Sequence, residues 1–222
     1  AELFGTLDVA LADATGTSDS LGLVVPDTVT GEDGSLTLKT TGIETINITA
    51  TSEAAAAQAY TITTADVDAS KIVLTGGTTA NVDTYDLATL NKATTTVDAS
   101  ALDGLLIIDG VATDVATTIS HKGTAIVTAD LSGGDDTITL GTIGAVAHNI
   151  DTSTGTDTFS ATLSSAATDF TNVDGVETFN LTVKDETDTG FNHVTKIDGL
   201  NEAKTVNILG GNALSTFKIA TG

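Results

Sequence analysis

Leu131 to Gly141 reads Leu-Ser-Gly-Gly-Asp-Asp-Thr-Ile-Thr-Leu-Gly, two glycines and two aspartates running into an alternating Thr/apolar stretch. Glycines let a backbone turn its carbonyls toward an ion, an Asp adds charge, and a large apolar residue two places on anchors the strand that follows. The next turn, Gly155-Thr156-Asp157-Thr158-Phe159, keeps the same Gly-x-Asp-x-apolar order. One calcium ion held between Asp136 and Asp157 on neighbouring coils is the chemistry this spacing suggests, with Asp135, Asp130 and Asp151 as reserve ligands. The same residues have a plainer use, since Asp beside Gly commonly accepts backbone N–H bonds in turns.

Other chemistry is poorly provided for. His121, His148 and His193 lie far apart with no His-x-x-x-His spacing, and a lone His is more often a surface residue than a catalyst. There is no Gly-x-Ser-x-Gly elbow, P-loop or dinucleotide fingerprint, and the expectation is that the chain is not an enzyme. Asn47-Ile48-Thr49 and Asn180-Leu181-Thr182 match the glycosylation acceptor but fall within expected strands, where a strand-face Asn is the simpler reading.

The 222 residues carry 30 acids against 8 lysines and no arginine, a net charge of −22. That charge repels phosphate backbones, so no nucleic-acid partner is expected, and it makes divalent cations the natural counterweight. With no Cys, disulfides, thiol catalysis and Cys-based zinc sites are excluded. No apolar run approaches the roughly 20 residues that span a bilayer, so membrane insertion is not expected. The opening AELFGTLDVA lacks the basic start of a signal peptide, so Ala1 reads as the start of a mature or excised piece.

The elements that would position the acids are short strands. Roughly a fifth of the chain is Thr, and a composition rich in β-branched and small residues favours extended structure. Gly42-Ile-Glu-Thr-Ile-Asn-Ile-Thr-Ala50 recurs as Gly175-Val-Glu-Thr-Phe-Asn-Leu-Thr-Val183, an offset of 175 − 42 = 133; Lys71 to Gly77 recurs as Thr205 to Gly211, an offset of 211 − 77 = 134. Two matches at nearly one offset indicate an internal duplication. The division expected is a lead-in segment 1–15, a first unit 16–154 and a second, truncated copy 155–222.

A shorter unit, acid then Ser/Thr then a large apolar residue, occurs at Asp19, Glu44, Asp83, Asp136, Asp157 and Glu177. The last three acids are 21 and 20 residues apart, about one coil of a β-solenoid. Asp-x-Ser recurs at Asp68, Asp98, Asp130 and Asp151. After each acid apolar and polar residues alternate, as in half-buried strands. Further strands are expected at Tyr60–Thr64, Ile72–Thr75, Leu105–Asp109, Ala125–Thr128, Val206–Leu209 and Phe217–Ile219, and a short helix capped by Ser52 over Ser52–Ala59. The fold expected is all-β, a parallel β-solenoid of the β-helix or β-roll kind with short strands and Gly/Asp turns, with β-sandwich domains as the alternative.

Taken together, GIETINITAT, Leu90 to Gly110 (LNKATTTVDASALDGLLIIDG), LSGGDDTITLG and GVETFNLTV resemble the RTX-related β-strand-repeat surface proteins of bacteria, above all the S-layer proteins exported by type I secretion. The resemblance implies an extracellular, calcium-dependent coat that assembles with copies of itself into a two-dimensional lattice on the cell surface, with a cell-surface polysaccharide as a second candidate partner. It places the calcium role on Gly133, Gly134, Asp135, Asp136, Gly155 and Asp157. The chain departs from that pattern in having fewer glycines and no long tandem run of nonapeptides. A repeat module of a large RTX adhesin, binding glycan or another cell surface, is the competing function.

Overall fold

A computed structural model describes residues 4–13, 15–26, 34–51, 59–77, 84–88, 94–109, 115–123, 125–131, 133–143, 148–163, 168–183, 194–198, 202–210 and 216–220. The strands, in chain order, are β1 (Phe4–Ala10), β2 (Ser20–Pro26), β3 (Gly34–Thr41), β4 (Thr45–Thr51), β5 (Ala59–Val67), β6 (Lys71–Gly76), β7 (Thr84–Ala88), β8 (Thr96–Leu102), β9 (Leu105–Asp109) and β10 (Thr118–His121). They continue as β11 (Val127–Asp130), β12 (Thr137–Ile143), β13 (Asn149–Asp151), β14 (Asp157–Leu163), β15 (Thr168–Asp169), β16 (Val173–Asp174), β17 (Val176–Val183), β18 (Val194–Asp198), β19 (Thr205–Gly210) and β20 (Thr216–Ala220).

Alternate strands go to opposite walls. The first wall is the eight-stranded sheet β1-β3-β5-β7-β9-β11-β13-β16, the second the nine-stranded sheet β19-β17-β14-β12-β10-β8-β6-β4-β2, and β15-β18-β20 form a small third sheet. Every described pairing is parallel, so the chain is a β-solenoid and not a sandwich of antiparallel hairpins. No helix occurs among the described residues, and none is long and apolar enough to cross a membrane. Ser52 to Gln58, which carry most of the expected helix, lie outside the described residues.

Period-two alternation builds the core. In the second wall Ile46, Ile72, Val97, Ile119, Ile138, Phe159 and Phe179 occupy one inward column, in register strand to strand and at most 1% exposed. Thr45, Lys71, Thr96, Thr118, Thr137, Thr158, Thr178 and Thr205 form the outward column beside it. Aromatic rings stack along the solenoid axis. Tyr60 and Tyr85 lie 5.3 Å apart between coils, and Phe159, Phe170 and Phe179 form a mutual cluster with centroids 5.4 to 5.6 Å apart.

The coil is not of one length. In-register positions of the second wall step through Ser20, Thr45, Lys71, Thr96, Thr118, Thr137, Thr158, Thr178 and Thr205. The steps are therefore 25, 26, 25, 22, 19, 21, 20 and 27 residues. The 20-residue spacing of the acids is thus a local property of β12, β14 and β17. The 133-residue repeat carries β4 onto β17, six places along the same wall. Two expectations shift. Asp83-Thr84-Tyr85 does not group with the other acid-Ser/Thr-apolar units, because Thr84 and Tyr85 lie on β7 in the first wall; Asp83 itself is outside the described residues. The strand expected at Ala125–Thr128 runs over Val127–Asp130, because pairing with β9 and β13 fixes its register.

Candidate functional site

Where the chain passes from the first wall to the second, the residue immediately before the outward Thr column comes to one corner. In register these are Asp19, Glu44, Ser70, Thr95, Thr117, Asp136, Asp157, Glu177 and Lys204. Four of the acids act alike, each carboxylate accepting the backbone N–H of the equivalent residue one coil earlier. Asp19 N–H donates to Glu44 Oε2 at 2.7 Å, Thr117 N–H to Asp136 Oδ1 at 2.7 Å, Asp136 N–H to Asp157 Oδ1 at 2.7 Å, and Asp157 N–H to Glu177 Oε2 at 2.8 Å. Glu177 is the extra residue of a bulge between Asp157/Val176 and Thr158/Thr178, and its longer side chain spans the added distance.

The coils at Asp136 and Asp157 are laced together closely. Gly134 N–H donates to Thr154 O (3.0 Å), Thr156 N–H to Asp135 Oδ1 (2.9 Å), Asp136 N–H to Asp157 Oδ1, and Thr158 N–H to Asp136 O (2.9 Å). The glycines make that approach physically permissible. Gly134 has φ of +102°, and a Cβ on Gly155 would lie 1.9 Å from Gly134 O. Asp151 and Asp98, from the Asp-x-Ser units, close local turns: Ser153 N–H donates to Asp151 Oδ1 (2.8 Å), and the Ser100 hydroxyl to Asp98 Oδ1 (2.7 Å). Asp130 pairs in register with Asp151 on the first wall and is exposed.

Burial separates two of these acids from the rest. Asp136 is 1% exposed and Asp157 0%, and the Oδ2 atom of each is buried without a hydrogen-bond partner. Burial pushes the Asp136 carboxyl up to about 6, and the charges of Asp157 and Asp135 push the same way against the Thr117 N–H bond. Burial likewise raises Asp157, opposed by the Asp136 N–H and the nearby Thr152 hydroxyl. Glu177 goes the other way, held below its ordinary value by the Asp157 N–H bond and by Lys204, 3.4 Å away.

As a cation site the corner offers two partnerless carboxylate oxygens, one from each of two adjoining coils. Among the described residues no three His, Cys, Asp or Glu side chains converge on a metal position. Asp135, Asp130 and Asp151 are therefore not gathered around Asp136 and Asp157 as an acidic cage; Asp135 and Asp151 each have an oxygen engaged by a backbone N–H. A six- to eight-oxygen calcium shell here would draw on backbone carbonyls and water beyond the two Oδ2 atoms.

The histidines depart from the surface position expected of them. His121 occupies an inward slot in register between Ala99 and Leu140 and is 2% exposed. Its Nδ1 accepts Gly123 N–H (3.0 Å), so Nε2 carries the proton toward Gly104 O (3.0 Å). His148, 1% exposed, accepts Val127 N–H at Nδ1 (3.2 Å), while its Nε2 is buried without a partner. Burial lowers both, His148 to about 4, with the neighbouring His121 adding to the effect on His148. The pairing was hidden because nothing in 26 intervening residues announces that both fall on inward positions of adjoining coils. His193 lies outside the described residues.

Compared with known proteins, the chain matches no family model, no curated protein and no solved structure.

Proposed function

We propose that the protein is a structural, non-enzymatic segment of a bacterial surface layer, secreted and assembled with copies of itself into a two-dimensional lattice in the presence of calcium. The observation that carries this reading is the pair Asp136 and Asp157: two buried carboxylates on adjoining coils, each with an oxygen left without a partner in a chain of net charge −22. Ionised at neutral pH they oppose the stack, and a divalent cation bound to both Oδ2 atoms neutralises them. At millimolar calcium and a site affinity of about 10⁻⁴ M, one ion contributes about 1.4 kcal/mol.

Electron microscopy of the full-length protein with calcium and with chelator tests the assembly. Ordered sheets in calcium that dissolve in chelator are expected; dispersed particles in both conditions would refute it. The unbroken run of eight and nine stacked strands also suits a second reading, a stiff spacer in a large adhesin. Such a spacer would gain thermal stability in calcium and remain monomeric.

A further inference from the structure

The two walls present unlike surfaces. Asp130, Asp151 and Asp174 stand exposed in one register column of the first wall. The outward face of the second wall, beyond the corner residues, carries two charged pairs among its described positions, Lys71 with Asp98 at 3.1 Å and, just past the end of β10, Lys122 with Asp103; it is otherwise Thr, Ser, Asn and small or aliphatic residues. The outward positions of β12, β14, β17 and β19 carry no charge at all.

Two of the few exposed large apolar residues lie on this same face. Val24 (64% exposed) is on the first strand of the wall and Leu209 (56%) on the last. Both belong to the third outward column, Val24 in register with Thr49 and Thr75, Leu209 with Thr182, Thr162 and Thr142. A two-fold axis running alongside β10, the middle strand of the nine, turns one copy so that β2 meets β19 and β10 meets β10. Columns are preserved by that rotation, so Val24 of one copy lands on Leu209 of the other, twice.

We propose that this face is where a second copy of the chain docks, face to face with the two solenoid axes antiparallel, as one contact of the lattice. The inference rests on the assembly reading and names its interface. Nine strands at ~4.8 Å and six to seven residues at ~3.3 Å give a face of about 43 by 20 Å, on the order of 800 Å² per copy, the size of a standard protein interface. Thr methyl groups and the Val24/Leu209 contacts are buried without stripping water from any charge except two internally paired sets, Lys71 with Asp98 and Lys122 with Asp103. Contact through the first wall would instead set one Asp column against another. Because two copies of charge −22 still repel at a distance, pairing through a neutral face strengthens with added salt, opposite to a contact held by ion pairs.

The absence of Cys makes the test direct. Under mild oxidation of the full chain, V24C alone and L209C alone should form no disulfide-linked dimer, an equimolar mixture of the two should cross-link, and S120C, beside the axis, should cross-link with itself. T139E should lower the dimer fraction in sedimentation at least tenfold while leaving the urea midpoint unchanged. Cross-linking of V24C with itself, no cross-link in the mixture, or a dimer that weakens as salt rises would each overturn the proposal. Calcium-dependent sheets without these cross-links would leave the assembly reading standing and place its contacts elsewhere; cross-linked dimers without sheets would do the reverse.

Discussion

Replacing Asp136 by Asn isolates the electrostatic load on the acidic corner. Asn keeps an oxygen for the Thr117 N–H bond and removes the charge. The Asp136 carboxyl is raised from 3.8 to about 6, so between those values the folded chain holds a proton that the unfolded chain releases. Its stabilising effect is therefore complete below about 3.8 and lost as pH rises through about 6. That rise corresponds to about 3 kcal/mol of destabilisation in the wild type at pH 7.5 without divalent cations. Whatever the Asn amide itself costs by burial is the same at every pH. The D136N minus wild-type stability, measured by urea unfolding in chelator, should thus move by about 2.4 kcal/mol in favour of the variant between pH 4 and pH 7.5. Groups that do not interact with Asp136, His148 among them, cancel in that difference, while Asp157 and Asp135, whose charges act on Asp136, add to it. Millimolar calcium at pH 7.5 should narrow the gap by about 1.4 kcal/mol, by stabilising the wild type alone. A difference flat to about 0.5 kcal/mol across the pH range would mean that the Asp136 carboxyl is not a buried, partnerless charge, and the reasoning would fail.

Burial holds His148 at about 4 against an ordinary 6.5, so its share of stability is intact above 6.5 and is lost as pH falls toward 4, by about 3 kcal/mol; nitrogen NMR should show a neutral ring protonated at Nε2 down to about pH 4, and H148L should remove that part of the acid slope. Phe159→Ala empties the centre of the Phe159/Phe170/Phe179 cluster and should cost about 3–5 kcal/mol in the urea midpoint, with the far-ultraviolet spectrum retained. Gly155→Ala drives a methyl into Gly134 O and should cost well over ~1 kcal/mol, whereas Gly22→Ala, with open space around it, should stay within ~0.5 kcal/mol of wild type.

The walls of the solenoid were legible because alternation survives in every strand that matters: Thr45-Ile46-Asn47-Ile48 and Thr137-Ile138-Thr139-Leu140 each announce which residue faces in. Parallel stacking was legible from the acids of β12, β14 and β17, whose spacing equals one coil. The remaining coil lengths were not, because those steps run from 19 to 27 residues with the connections, and the residues joining the strands carry no register signal of their own. The site was half legible. Gly134, Asp136, Gly155 and Asp157 do meet in one corner, yet an Asp that binds an ion and an Asp that accepts a neighbour's N–H have the same sequence signature. Only the geometry shows one oxygen of each carboxylate already engaged and the other left over. His121 escaped for a related reason: an imidazole fits an apolar column when Gly104 O and Gly123 N–H satisfy both nitrogens, and neither partner is apparent from its neighbours in sequence.

The order of residues along the corner has its own logic. A carboxylate that reaches back to the preceding coil fixes the register of two coils with a charge-assisted bond, of about 1.5–3 kcal/mol, and a one-residue slip would forfeit it. Carboxylates stacked at strand spacing also repel, by about 1 kcal/mol per pair in water and more where buried. The corner alternates accordingly. Asp19 and Glu44 form one short acidic run; Ser70, Thr95 and Thr117 follow without charge, and there the Ser70, Thr95 and neighbouring Thr94 hydroxyls bond carbonyls of the coil before. The second run, Asp136, Asp157 and Glu177, ends on Lys204, which bonds Glu177 and closes the series with a positive charge. Only Asp136 and Asp157 of that second run, flanked by acids or buried against the core, are left with oxygens that no described group satisfies. A divalent cation acting anywhere on this corner therefore acts on Asp136 and Asp157 first, and its loss should loosen β12 against β14 before either end of the stack.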